Sequence, residues 1–125
     1  MANLSKRPLS PHLQIYKLPL TGLISISHRI TGVLLCLGLI LFVGIISSLA
    51  NGYTAYDDMQ MLFNLWLIKL IYWGFLYALC FHLCHGIRHL IWDAGESFQK
   101  SKMDQYALYE LCASVLLTLT ALFIA

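Results

Sequence analysis

Two short stretches carry side chains able to do chemistry in otherwise apolar surroundings. Ser25-Ile26-Ser27-His28-Arg29, with Thr31, opens one long apolar run; His82-Leu83-Cys84-His85-Gly86-Ile87-Arg88-His89, with Trp92 and Asp93, closes another. Ionisable groups at membrane depth are costly and usually functional. On a helix turning about 100° per residue, His82 and His89 lie within about 20° of each other and about 10 Å apart along the axis, with His85 about 60° off that line. One helix face thus offers imidazoles at two depths. Gly86 between them leaves room for a flat, bulky group to approach the backbone. A neutral imidazole is an axial ligand for haem iron, and Arg29 or Arg88 nearer the interface would suit haem propionates. The spacing therefore points to a haem or metal on this helix.

Each of these residues also has an ordinary role. A histidine near a helix end snorkels or caps carbonyls, and this applies most to His85 and His89 and least to His82, the deepest of the three. A zinc or copper site is the weaker metal reading, because one helix presents three histidines poorly and no acid or thiolate partner is placed with them. Arg29 can serve as a charged anchor and Ser25 as a cap. Against that, Ser25, Ser27 and His28 beside Arg29 form a donor-rich group suited to a carbonyl oxygen. If the segment is helical, Ser25 and Arg29 share a face.

The elements that must position these groups follow from composition. The chain has 125 residues, 59% apolar and 11% charged, with a net charge of +2. Soluble chains average about 25% charged, and eight Lys/Arg with six Asp/Glu cannot cover the surface of a domain this size. The surface must be apolar, so the solvent is a bilayer and the lipid is a partner. Disorder, a disulfide-stapled secreted domain and nucleic-acid binding are all excluded; the net charge is too small for a polyanion partner. Cys36, Cys80, Cys84 and Cys112 sit in apolar stretches without a Cys-x-x-Cys pair and read as small buried hydrophobes.

The expected fold is all-α: a single membrane-anchor domain over residues 1–125, a three-helix transmembrane bundle with spans at about 23–50, 62–92 and 105–125 after an N-terminal segment, 1–22. Asn51-Gly52 marks the turn after the first span. Gly32, Gly38, Gly44 and Ser47 on span one, and Gly74, Ala78 and Gly86 on span two, suit close helix contact. Trp66, Trp73 and Trp92, with Tyr53, Tyr56, Tyr72 and Tyr106, read as interface aromatics. The N-terminal segment has three prolines and no sustained apolar core, so the first span is expected to act as the targeting element. Residues 1–29 carry Lys6, Arg7, Lys17 and Arg29 and no acid; Asp57 and Asp58 follow span one without a cation; Arg88, Lys100 and Lys102 mark the second connection. Lysine and arginine mark the cytoplasmic side. The N-terminus and the 88–104 connection are therefore expected in the cytoplasm, the Asp57–Asp58 loop and the C-terminus outside. Both polar clusters then fall at one membrane face, where they can meet.

RPLSPHLQIYK (Arg7–Lys17), SISHRITG (Ser25–Gly32) and HLCHGIRHLIWD (His82–Asp93) together resemble the cytochrome b membrane-anchor subunit of succinate dehydrogenase, the larger of its two hydrophobic subunits. The three motifs stand in the family's order and spacing, from about Arg7 to the third span. The resemblance implies an anchor that is no enzyme by itself. It stands beside a second hydrophobic anchor subunit, and together they hold a flavoprotein and an iron–sulfur subunit. Electrons from succinate pass to ubiquinone, and one haem b is shared between the anchors. By motif position His82 is the axial ligand. Ser25 and Arg29 take the quinone-binding positions. His28, Arg29 and His89 belong to the haem environment, with His28 and Arg29 near the propionates. His85 stands where the family is usually apolar, so its role is open. The expected location is a bacterial inner membrane, or the mitochondrial inner membrane if the chain is organelle-encoded. A quinol:fumarate reductase anchor is the near alternative. A self-contained membrane cytochrome b needs histidine pairs on two helices, and span three has none.

Overall fold

The computed structural model describes residues 15–124. The motif residues Arg7–Gln14, the cations Lys6 and Arg7, and Ala125 lie outside them. Among the described residues there is no strand. Four α-helices follow in chain order: α1 Leu20–Ala50, α2 Tyr53–Phe63, α3 Trp66–Asp93 and α4 Met103–Ile124, with a 3₁₀ turn at Lys100–Lys102 leading into α4. Helices α1, α3 and α4 are long and apolar enough to cross a membrane. At about 1.5 Å per residue, the 31 residues of α1 reach about 46 Å, more than the roughly 30 Å of hydrocarbon.

The helix ends follow local chemistry. Pro19, in extended conformation, starts α1, and its carbonyl accepts from Gly22 and Leu23 N–H. Asn51 ends α1 by donating to the Ser47 carbonyl. Gly52 then takes φ +99°, a region costly for any residue with a Cβ. The segment that follows is helical, so the Asp57–Asp58 loop is the amphipathic helix α2. Ser48 Oγ ties α2 to the end of α1 by donating to the Ala55 carbonyl at 2.7 Å. The second span begins at Trp66 and not at Leu62, because α2 continues through Phe63 and Leu65 turns extended. Gly95, at φ +85°, closes α3.

α3 is the centre of the bundle and packs on both α1 and α4. The interior is inverted relative to a soluble fold. Among the described residues Ile24, Ala78, Phe81 and Ala107 are the buried apolar side chains, while Thr31, Ser48, His85, Arg88, Glu110, Ser114 and Thr118 are buried polar ones. Leu, Ile, Val and Phe instead cover the outside. When the solvent is as apolar as the core, helices gain from close approach and internal hydrogen bonds rather than from burying leucine. Accordingly, Thr118 and Ser114 donate back along α4, and Gly38 lets α1 approach Phe75, whose ring lies 3.0 Å from where a Cβ would stand. Gly32 similarly faces His82. Gly44, Gly74 and Gly86 meet nothing within 4 Å, so of the small-residue positions only part is used inside this chain.

Candidate functional site

The two polar clusters do meet. α1 carries Ile24, His28 and Thr31 on the face turned to α3, and α3 answers with Phe81, His82 and His85. The His28 and His82 rings stack at 3.9 Å between centroids with 15° between planes. His28 also reaches His85 at 4.5 Å and His89 at 5.7 Å. His85 and His89 meet edge to face at 4.8 Å, and Trp92 packs edge-on against His89 at 5.1 Å. Thr31 Oγ1 donates to the His28 carbonyl at 2.8 Å and lies 3.2 Å from His82 Nδ1. Four histidines from two helices thus form one cluster.

Beneath it lies a charged layer drawn from α3 and α4. Glu110 Oε1 stands 2.6 Å from His85 Nδ1, and Glu110 Oε2 accepts from Arg88 Nη1 at 3.0 Å. Arg88 Nη2 donates to the Met103 carbonyl at 3.0 Å, and the guanidinium lies 4.7 Å over the Trp92 ring. All three charged or ionisable side chains are buried, His85 to 1% exposure. This corrects the expectation that no acid accompanies the histidines. Glu110 is 25 residues from His85, and only the docking of α4 on α3 joins them. It also settles His85 as an interior, hydrogen-bonded residue and not a snorkelling one. Arg88, counted at first among the positive charges of the second connection, is neutralised by Glu110. Trp92 is no simple interface aromatic either, since its Nε1 is buried.

Several buried nitrogens have no partner within the described residues: His28 Nε2, His85 Nε2, Arg88 Nε and Trp92 Nε1. Unpaired buried polar atoms are few in folded proteins and ask for a ligand or solvent. Ring nitrogens of His28, His85 and His89 lie within 4.8 Å of one another, so these three also form the group most nearly able to share a metal ion.

Over residues 3–121 the chain matches the family described as succinate dehydrogenase/fumarate reductase transmembrane subunit. The chain belongs to that family. It is 38% identical over 117 residues to the succinate dehydrogenase cytochrome b556 subunit of Rickettsia typhi, covering 92% of this chain and 90% of the relative. It is 34% identical over 122 residues to the cytochrome b556 subunit of Paracoccus denitrificans (98% and 94%), and 37% identical over 120 residues to the cytochrome b560 subunit of Reclinomonas americana (92% and 83%). The resemblance drawn from the three motifs is therefore shown at the level of the family, and the chain is a succinate dehydrogenase cytochrome b-type membrane anchor.

Within this anchor the sequence-expected residues fall in different places. His82 is half-buried at the α1–α3 contact. His28 is half-buried above it, and His89 is exposed one turn past His85. Ser25 is half-buried and Arg29 exposed. On a regular helix they stand about 100° and 140° round α1 from the buried Ile24, on a flank away from α4. A cleft of about 350 Å³ lies on the opposite flank, where Ser27 and Thr31 face Tyr77, Phe81 and Leu111. It takes neither Ser25 nor Arg29. Glu110 is the residue that sequence reasoning missed. The signal was present as a lone carboxylate in an apolar span; its partner was not.

Proposed function

We propose that this chain anchors succinate dehydrogenase in the inner membrane with its N-terminus cytoplasmic, and helps hold one haem b and the ubiquinone-reduction site. Its partners are a second hydrophobic anchor subunit, an iron–sulfur subunit and a flavoprotein subunit; the chain itself catalyses nothing. The observation that carries this reading is the four-histidine cluster with its unpartnered ring nitrogens, at the membrane face where the basic N-terminal segment begins α1. The donor set suits a haem. His82 supplies an imidazole, and His28 and Trp92 supply buried ring nitrogens for acidic oxygens. Gly86, with nothing within 4 Å of a Cβ position, leaves the α3 backbone open to a flat group. Relatives named cytochrome b556 and b560 support the same reading.

In this reading His82 would bind the haem iron, while His28, Arg29 and His89 would hold the haem's polar edge. The bound haem supplies a one-electron centre. Ser25 and Arg29 bind ubiquinone: a guanidinium and a hydroxyl on one face of α1 place positive potential and a donor at a carbonyl oxygen that gains negative charge on reduction. Their flank of α1 faces away from this chain's own core, so the pocket is completed by a partner subunit. Unpaired polar groups in hydrocarbon are costly, which makes the chain dependent on those partners.

The test is His82→Ala in the assembled, purified complex. The reduced-minus-oxidised low-spin haem spectrum should be lost or shifted. An unaltered low-spin haem spectrum there, with its loss in His85→Ala or His89→Ala, overturns the assignment.

A further inference from the structure

The motif SISHRITG also contains Thr31 and Gly32, to which the proposed function gives no role. Both touch His82. Its ring is met by α1 on three sides. His28 stacks on one face at 3.9 Å. Gly32 backs the Cε1 edge, where a Cβ would stand 3.2 Å from the ring carbon. Thr31 Oγ1 meets Nδ1 at 3.2 Å. None of these contacts uses Nε2.

The proton count on the Thr31 hydroxyl fixes which way the Nδ1 contact runs. A threonine hydroxyl has one hydrogen and two lone pairs. Its hydrogen goes to the His28 carbonyl at 2.8 Å, the shorter of its two contacts and one with a partner that can only accept. What remains for His82 Nδ1, at 3.2 Å, is a lone pair. Nδ1 must then carry the proton, and in a neutral imidazole that leaves the free lone pair on Nε2. Thr31 is buried, so water does not compete for this contact.

We propose that Thr31 is the positioning residue for His82: its hydroxyl, itself anchored to the His28 carbonyl, accepts the Nδ1–H of His82, fixes the ring's tautomer and direction, and presents Nε2 as the metal-binding nitrogen. Gly32 is required beside it because a side chain there would push the ring off this bond. The inference rests on His82 being the axial ligand. A metal-bound histidine generally donates its second ring N–H to an oxygen acceptor, which orients the ring and makes it a stronger donor to the metal. Here the acceptor comes from α1, so the haem ligand on α3 is set by the packing of one helix on the other.

The experiment compares Thr31→Val, Thr31→Ser and His82→Ala in the assembled complex, reading the haem midpoint potential, the low-spin absorption and electron paramagnetic resonance signals, and the rate of haem loss in detergent. Valine keeps the shape and removes the acceptor. Its haem should titrate at a more positive potential, because a weaker imidazole donor favours ferric iron less. Haem should also dissociate about 10-fold faster, at the low end of what loss of such a partner costs. Serine keeps the hydroxyl and should restore the wild-type values. The potential is a property of each assembled molecule, so it is read even if valine lowers the yield. Wild-type potential and signals in Thr31→Val, alongside loss of the low-spin signal in His82→Ala, overturn the positioning role and leave the axial assignment standing. Equal shifts in Thr31→Val and Thr31→Ser also overturn it, since the hydroxyl would not be the cause. Retention of the low-spin signal in His82→Ala overturns the axial assignment first, and the positioning role with it.

Discussion

Replacing Glu110 by alanine removes the acceptor that two buried side chains of α3 share. Arg88 keeps its bond to the Met103 carbonyl, but its Nη1 and His85 Nδ1 lose their partner at the α3–α4 contact. Two scales compete in setting the cost. Breaking a buried ion pair by removing one member typically costs about 3–5 kcal/mol, because the remaining charge stays buried and uncompensated. An interhelical hydrogen bond in a membrane protein averages only about 0.6 kcal/mol. The layer here contains a guanidinium buried between α3 and α4, so the first scale should govern. At tenfold per 1.4 kcal/mol, Glu110→Ala should weaken α4 docking by about 100- to 4,000-fold. Glu110→Gln should cost less, about 1–2 kcal/mol, since the amide oxygen still accepts from Arg88 as a neutral group. Glu110→Leu combined with Arg88→Leu should be milder than either change alone, because an apolar replacement of the whole pair leaves no charge behind. The assay is thermal unfolding of the purified complex, with limited proteolysis reporting release of α4. A loss below about 1 kcal/mol for Glu110→Ala, with no gain from the double replacement, would place the layer on the weaker scale and refute the reasoning.

The quinone residues make a separate prediction. Ser25→Ala and Arg29→Leu should slow ubiquinone reduction, by less than the about 2.7–4 kcal/mol seen for enclosed donors since Arg29 is exposed, while the complex still reduces an artificial acceptor upstream; unchanged quinone turnover in an assembled Arg29→Leu complex defeats the assignment. Gly38→Val should destabilise the α1–α3 contact by about 1–3 kcal/mol through overpacking, because even a Cβ there lies 3.0 Å from the Phe75 ring; an unshifted melting temperature would show that the helices part without cost.

What the sequence alone determined is the solvent and the element type. Apolar runs longer than about 20 residues fix three spanning helices, since backbone groups in lipid must pair within a helix. Asn51-Gly52 fixes where the first spanning helix ends; that Pro19 starts α1 and Gly95 closes α3 came from the structure. The break at Asn64-Leu65 was harder to see, because Leu62 and Phe63 continue the apolar run without a glycine or proline to interrupt it. Helical spacing likewise showed that His82, His85 and His89 share one side of α3.

Only the tertiary structure decided who meets whom. The pairing of Glu110 with His85 and Arg88, the stacking of His28 on His82 and the contact of Thr31 with Nδ1 all join residues on different helices. Nothing in a helix's own period encodes the rotation of its neighbour. In water, burial of an apolar stripe would have fixed that rotation. Here every face of α1, α3 and α4 is nearly as apolar as every other, so the hydrophobic pattern cannot choose. Small residues such as Gly32 and Gly38 and the few polar groups that must find partners choose instead, and their choice becomes visible once the three helices are packed together.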